Sequence, residues 1–253
     1  MPIEAKPTKQ LKLLYQSKKK LAIWKKILII FSALILVLVS LAIFAYSRYL
    51  HPTGEIMPGL YAVRNDRNGM PIVNFFIMQA GEKYIAFDAG SDSEQTQNTL
   101  QHLGISPSDV IAVFITHSDC DHVGALHLFY NSSVFSYDTE FRYANTTAFA
   151  TSVFERPNFP HYTLADGETI EIYDRSILAI HTPGHTSDSV SFLVDGRYLF
   201  VGDLLVNPRL ARYDEELQIF HIQNTLQMEG IECVFTGHFG LFRSVRLIRW
   251  WFS

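Results

Sequence analysis

Short apolar runs, separated by turn residues, recur along the chain from about residue 60 onwards. Runs of four to eight largely apolar residues predict β-strands, and the continuous run 110–115 predicts a buried one. The predicted strands are 60–64, 72–79, 83–88, 110–116, 177–181, 190–194, 198–201 and 231–236. Gly81 lies between the second and third strands, and Asp195-Gly196 lies between the sixth and seventh, so both connections predict hairpins.

Three stretches predict helices because their apolar residues recur at helical spacing or their first turn is acidic. These are 91–103, 121–130 and 214–229, and the middle one places Val123, Leu126 and Phe129 on one face. Early strands followed by mixed strands and helices predict two sheets with helices packed outside them. The expected fold class is therefore α/β.

An uncharged stretch of 20 residues, 27–46, precedes these elements. Its length is enough to cross the hydrocarbon core of a bilayer as a helix. A cleaved signal peptide is one alternative, but it needs a shorter apolar core and a small-residue cleavage site. A buried core helix is another, although such helices usually have a polar face. The sequence favours one transmembrane helix.

Charge is distributed unevenly on the two sides of this stretch. Residues 1–26 contain eight lysines and one glutamate, whereas residues 51–253 contain 12 basic and 24 acidic residues. The positive-inside rule predicts a cytoplasmic N-terminus and an extracytoplasmic domain in the cell membrane. The expected organisation is a basic cytoplasmic tail (1–26), the transmembrane helix (27–46), a tether (47–58) and a globular domain (59–253).

The acidic balance of the domain argues against a nucleic-acid-binding surface. Two cysteines, Cys120 and Cys233, do not make a disulfide framework. Residues 131–163 are rich in aromatics and have little periodicity. This segment is interpreted either as a cover for apolar surface or as a wall over a pocket.

The stretch "ITHSDCDHVGAL" (115–126) places His117, Asp119, Asp121 and His122 directly after an apolar strand. Ionisable groups at the end of a buried strand must be paired or coordinated, because burying them alone is costly. Histidine and aspartate are common metal ligands, and the rest of the chain decides whether these four act as such.

Further strands of this set end in the same kind of residue. Asp88, His185, Asp203 and His238 each follow an apolar run. Polar groups at several strand ends meet at one edge of a layered fold. Together with the first motif they supply four histidines and up to four carboxylates, which suits two divalent cations such as zinc, manganese or iron.

In this order, the motifs "THSDCDH", "HTPGHT", "GD" and "GH" resemble those of the metallo-β-lactamase superfamily, especially its hydroxyacylglutathione-hydrolase-like members. The resemblance covers about residues 59–240 and implies an αβ/βα sandwich of two mixed sheets. It also implies metal ligands. They would be His117, Asp119 and His185 for the first metal, Asp121, His122 and His238 for the second, and Asp203 as the bridge. Asp88 matches a position that supports the ligands.

One position departs from the family pattern, which normally has histidine where this chain has Asp119. A carboxylate there is a harder ligand than imidazole, so it shifts the expected metal from zinc alone toward manganese or iron. Zinc remains the favoured metal.

The resemblance implies hydrolysis of an ester, thioester, lactone or phosphodiester in a small-molecule substrate by a bridging hydroxide, with Asp121 as the catalytic residue that orients it. Two alternatives remain. His117, Asp119 and His185 also form the two-histidine, one-carboxylate set of non-haem iron redox enzymes such as dioxygenases. A non-catalytic metal-binding module is the other. The sequence makes no prediction of the oligomeric state.

Overall fold

The computed structural model describes residues 9–45, 53–66, 72–137, 160–243 and 248, and all structural statements concern these residues. The chain divides into two compact units, Met1–Arg48 and Tyr49–Ser253.

The first unit contains one long helix, α1 (Lys9–Ala45). No glycine or proline occurs between Pro7 and Pro52, so nothing in this stretch interrupts the helix. The helix therefore begins well before residue 27 and includes much of the expected tail. Its most apolar window is Ile23–Ala42, which has a mean hydropathy of 2.4 and contains no buried residue.

The second unit contains a first sheet of seven strands in sequential order. Its strands are β1 (Gly54–Met57), β2 (Leu60–Asn65), β3 (Val73–Ala80), β4 (Lys83–Phe87), β5 (Val110–Phe114), β6 (Ser133–Ser136) and β7 (His161–Thr163). Strands β1 to β4 pair antiparallel, and the pairs from β4 to β7 are parallel. The sheet is mixed, as expected.

A second mixed sheet has six strands in the order β13-β12-β11-β10-β9-β8. Its strands are β8 (Thr169–Ile172), β9 (Arg175–His181), β10 (Val190–Val194), β11 (Tyr198–Phe200), β12 (Cys233–Thr236) and β13 (Gly240–Phe242). Only β11 and β12 pair in parallel. The β10–β11 hairpin turns through Asp195 and Gly196, both of which have positive φ, as the sequence predicts.

The two sheets pack face to face on a buried aromatic core. Phe87 of the first sheet stacks on Phe200 of the second, with ring centroids 3.8 Å apart. Helix α2 (Ser93–Leu103) packs on the outer face of the first sheet through Leu100, and α4 (Glu215–Gln227) packs on the second through Ile222. This arrangement confirms the four-layer αβ/βα sandwich.

The predicted helix 121–130 is wrong in its extent. The structure has only a short helix, α3 (Cys120–Val123), followed by a 3₁₀ turn, Leu126–Leu128. The carbonyl of His122 accepts a hydrogen bond from Ala89 at 2.7 Å, and the amide of Ala125 donates to Gly90 at 3.2 Å. These backbone groups are therefore not available to continue the helix.

Two other segments differ in detail from the sequence prediction. The segment 47–58 was expected to be a tether, and its end forms β1, which pairs with β2. Of the aromatic segment 131–163, residues 138–159 lie outside the described residues, while β6 and β7 extend the first sheet.

Candidate metal centre

The residues singled out in the sequence converge at one edge of the sandwich, where strand ends of both sheets meet. The loop that follows β5 supplies four of them, and the segments after β9, β11 and β12 supply one each. The structure brings together His117, Asp119, Asp121, His122, His185, Asp203 and His238. The polar residues that follow these strands therefore meet at one edge of the sandwich, as predicted from the sequence.

The first group consists of His117, Asp119 and His185. Oδ2 of Asp119 lies 3.3 Å from Nε2 of His117 and 3.3 Å from Nε2 of His185. One ligand atom from each of the three residues falls within 4.8 Å of the others. A single cation could contact all three side chains.

The second group consists of Asp121, His122 and His238. Nε2 of His238 lies 3.3 Å from Oδ2 of Asp121, and its other ring nitrogen, Nδ1, bonds to the carbonyl of Ile72 at 2.7 Å. Because Nδ1 must donate to a carbonyl, Nε2 keeps its lone pair for a metal when the ring is neutral.

The carboxylate of Asp203 lies between the two groups and is almost fully buried. Its Oδ2 is 3.5 Å from Nε2 of His185 in the first group and 3.2 Å from Nε2 of His238 in the second. Its Oδ1 is 3.3 Å from Nε2 of His122. This is the position from which one carboxylate can contact two cations.

The donor atoms fit divalent cations. Nε2 of His117, Nε2 of His122 and Oδ1 of Asp203 are buried and have no hydrogen-bond partner among the described residues. Buried polar atoms are normally paired, so close approach without hydrogen-bond geometry indicates atoms that face a shared ligand. Imidazole nitrogen and carboxylate oxygen are ligands of zinc, manganese and iron.

Close packing around Asp203 explains the glycine of the "GH" motif, Gly237. A Cβ on Gly237 would lie 2.5 Å from Oδ1 of Asp203 and 2.6 Å from Cε1 of His122. A side chain at this position would therefore displace two of the candidate ligands.

Asp88 supports the loop that follows β5. Its Oδ1 accepts the amide of Thr116 at 2.8 Å, and its Oδ2 lies 2.8 Å from Nδ1 of His122. The hydroxyl of Thr116 in turn lies 3.1 Å from Nδ1 of His117. Asp88 thus lies behind the candidate ligands, at a position where the resemblance implies a supporting role.

Arg212 is a site residue that the sequence analysis missed. Its Nη2 donates a hydrogen bond to Oδ1 of Asp119, 93 residues away in the sequence. Burial raises the pKa of the Asp119 carboxyl, but His117, His185 and Arg212 together hold it well below its usual range. Arg212 lies in no motif, so no local pattern could have identified it.

Charge compensation dominates the electrostatics of the centre. Burial lowers the pKa of His238, but hydrogen bonds to Asp121 and Asp203 raise it to about 10. Burial also lowers the pKa of His122, yet Asp203, Asp88 and Asp121 raise it well above its usual value. A raised pKa favours the protonated ring, so protons and metal ions compete for the ring nitrogens of His122 and His238.

The fold is an α/β sandwich with a candidate metal-binding cluster at one edge. Residues 69–238, more than half of the chain, match the family model of the metallo-beta-lactamase superfamily. The chain belongs to this superfamily.

Similar proteins support this assignment. The chain is 37% identical over 102 residues to metallo-beta-lactamase domain-containing protein 1 of Xenopus laevis, covering 40% of this chain and 38% of that protein. It is 28% identical over 165 residues to a hydroxyacylglutathione hydrolase of Xanthomonas euvesicatoria pv. vesicatoria (strain 85-10), covering 64% and 58%. The matched region is thus less than two thirds of either relative.

A crystal structure of a metallo-beta-lactamase family protein from Thermus thermophilus is similar, with a TM-score of 0.61 at 22% identity. The match covers 76% of this chain and 77% of that one. At this level of identity the similarity establishes the fold.

Proposed function

We propose that this protein is a metal-dependent hydrolase with a dinuclear centre, acting on an ester, thioester, lactone or phosphodiester. The observation that carries the proposal is the position of Asp203, whose two oxygens contact histidines of both ligand groups. A site for one metal would need only one of the two ligand groups, whereas the structure contains both. Zinc is the favoured metal, and manganese or iron are alternatives because Asp119 is a hard ligand.

In this proposal the residues of the chain have separate roles. Two bound divalent cations would supply Lewis acidity and lower the pKa of a water molecule that they share. Asp121 is the proposed catalytic residue: Oδ2 lies 3.3 Å from Nε2 of His238, and the carboxylate would orient the attacking water. Its side chain is 16% exposed, so substrate and water can approach it.

The substrate class follows from the family and from the chemistry of such a centre. The Xanthomonas relative is named as a hydrolase of hydroxyacylglutathione. A dinuclear centre polarises the carbonyl or phosphoryl oxygen of the group that is cleaved, so it does not restrict the rest of the substrate. We therefore propose a small-molecule substrate with an activated carbonyl or phosphoryl group, and no nucleic-acid partner.

The test is metal analysis of the purified full-length chain together with a panel of thioester, lactone and phosphodiester substrates. We expect two divalent metals per chain and hydrolysis of at least one substrate. His185→Ala should lower the metal content, whereas His127→Ala should not, since His127 is an exposed histidine outside the cluster. Full hydrolysis by metal-free protein would refute the proposal.

A redox function is the second candidate, because His117, Asp119 and His185 form a two-histidine, one-carboxylate group. The same panel separates the two. Hydrolysis proceeds without oxygen, whereas a non-haem iron enzyme would bind one iron and depend on oxygen. Bound metal without any turnover would favour a non-catalytic metal-binding module.

We also propose that α1 anchors the protein in the cell membrane, with the N-terminus in the cytoplasm and the catalytic domain outside. The window Ile23–Ala42 is long enough to cross a bilayer, and none of it is buried. Exposing this much apolar surface to water is unfavourable. A signal sequence has the same features, and the lysines before residue 27 support the proposed orientation.

A further inference from the structure

We infer that Asp119 and Arg212 act as one unit in the first ligand group. Arg212 holds one oxygen of the Asp119 carboxylate, leaves the other to the metal and cancels the negative charge. The pair thus offers the first metal a ligand of no net charge. This inference rests on the proposed function, because it presupposes a metal at His117, Asp119 and His185.

The two oxygens of Asp119 have separate partners. Oδ1 accepts a hydrogen bond from Nη2 of Arg212. Oδ2 lies 3.3 Å from Nε2 of both His117 and His185. An oxygen that is already engaged by a guanidinium is a poor second ligand, so Asp119 is arranged to bind a metal through Oδ2 alone.

The backbone holds Arg212 at this position. Its amide donates to the carbonyl of His185 at 3.0 Å, and the amides of Tyr213 and Asp214 donate to the carbonyl of Gly184. Gly184 has a φ of +150°, and a Cβ there would lie 2.5 Å from Cα of Gln218. The loop that carries His185 is thus fastened to the segment that carries Arg212, and both approach Asp119.

The opposite charges of Asp119 and Arg212 explain why the two residues act as one unit. An arginine is always protonated, and a fixed positive charge beside a divalent cation opposes metal binding. The Asp119 carboxylate contacts Arg212 through one oxygen and two histidines of the first group through the other. Its side chain is only 15% exposed, whereas that of Arg212 is 45% exposed. Replacing Asp119 by a neutral ligand would leave the guanidinium unpaired next to the metal.

The experiment measures zinc affinity of the full-length protein in detergent by competition with a chromophoric chelator. The variants are Asp119→His, Asp119→His with Arg212→Gln, and Asp119→His with Arg209→Gln. Imidazole is itself a good zinc ligand, so an independent Asp119 could be replaced without loss. We expect Asp119→His to bind zinc at least tenfold more weakly than the wild type.

Adding Arg212→Gln should recover most of that loss, because it removes the unpaired charge. Arg209 is the matched control, since it is exposed, lies three residues away and has no side-chain bond to the ligand cluster among the described residues. Adding Arg209→Gln should change the affinity less than threefold. Thermal melts of the metal-free variants separate this effect from loss of the fold.

Two results would overturn the inference. One is zinc affinity of Asp119→His equal to that of the wild type, and the other is equal recovery from the two arginine substitutions. If Asp119→His does not fold, Asp119→Asn replaces it, because the amide is isosteric and neutral. A wild-type protein that binds no metal would instead refute the proposed function, and the inference with it.

Discussion

Oδ2 of Asp88 lies 2.8 Å from Nδ1 of His122, and both side chains are buried. Because a carboxylate can only accept, Nδ1 must carry the proton, and the lone pair of a neutral ring is on Nε2, next to Asp203. The pair therefore selects the tautomer of His122 that can bind a metal.

Asp88→Asn tests this role. The amide can keep the Thr116 bonds through its oxygen, but its nitrogen would then face Nδ1 of His122 and favour the tautomer with a proton on Nε2. We expect a 10- to 100-fold loss of affinity for the second metal in a two-step titration, as is typical for residues behind metal ligands. Asparagine tolerates the positive φ of Asp88, so the fold should persist.

Asp195→Asn is the control for that variant. Asp195 also has a positive φ, but it lies in the β10–β11 hairpin and bonds to Arg175. Its substitution should leave both metal affinities unchanged. Equal metal binding by Asp88→Asn and the wild type would show that the tautomer of His122 is set by another group.

Asp121→Ala and Asp119→Ala should differ in their effect on rate. Asp121 is proposed to bind a metal and to orient the attacking water, whereas Asp119 is proposed only to bind a metal. With the best substrate of the panel, Asp121→Ala should lower kcat by about 10³-fold or more, and Asp119→Ala by less. Both variants are assayed at saturating metal. A larger loss for Asp119→Ala would reverse the assigned roles.

The metal-free protein should lose stability as the pH rises. The pKa of His238 is about 10 in the folded state and near 6.5 in the unfolded state. The protonated ring therefore stabilises the fold fully below pH 6.5, and this contribution disappears as the pH rises towards about 10. The loss is on the order of a few kcal/mol at most.

Urea unfolding between pH 6 and pH 10, with and without a chelator, measures this effect. The metal-loaded protein should show a much smaller change, since a bound metal takes the place of the protons. A metal-free protein whose midpoint is flat across this range would contradict the charge pattern of the centre.

Gly184→Ala should be strongly destabilising. The added Cβ would lie 2.5 Å from both Cα and Cβ of Gln218, and φ at this position is +150°. We expect a loss of about 2–4 kcal/mol from overpacking and strain. Gly167→Ala is the control, because it has a positive φ but nothing within 4 Å of the new Cβ. It should cost about 1 kcal/mol, and equal losses in urea unfolding would contradict the packing argument.

The proposed topology predicts the result of proteolysis on intact cells. Added protease should degrade the domain beyond residue 50 and spare an N-terminal fragment that includes Ile23–Ala42. A tag before Lys9 identifies that fragment on a blot. Protection of the domain in intact cells, with degradation only after lysis, would refute the orientation.

The sequence predicted eight of the thirteen described strands, β2–β5 and β9–β12, and the convergence of the candidate ligands, because both depend on local patterns. Val110–Phe114 is a continuous apolar run that is buried in the structure, and the polar residues at its end had to be satisfied together. His185 and His238 likewise follow apolar runs, and their side chains had to be satisfied at the same edge. Four motifs in order then fixed the family.

Long-range contacts account for what the sequence did not predict. The helix expected at 121–130 ends early because His122 and Ala125 bond to residues 89 and 90. The bond of Arg212 to Asp119 links positions that no spacing rule connects. In both cases the deciding partner is distant in the sequence, so propensity and periodicity contain no information about it.

The candidate ligands come from both sheets, and this has a consequence for folding. His117, Asp119, Asp121 and His122 follow a strand of the first sheet, while His185, Asp203 and His238 follow strands of the second. Each of the two candidate ligand groups combines residues from both sheets, and Asp203 lies between the groups. Bound metal would therefore act as a non-covalent crosslink between the sheets and add about 1.4 kcal/mol of stability for every tenfold excess over its Kd. If the chain were cut into two fragments, one for each sheet, neither fragment would contain a complete group, and their reassembly would depend on metal.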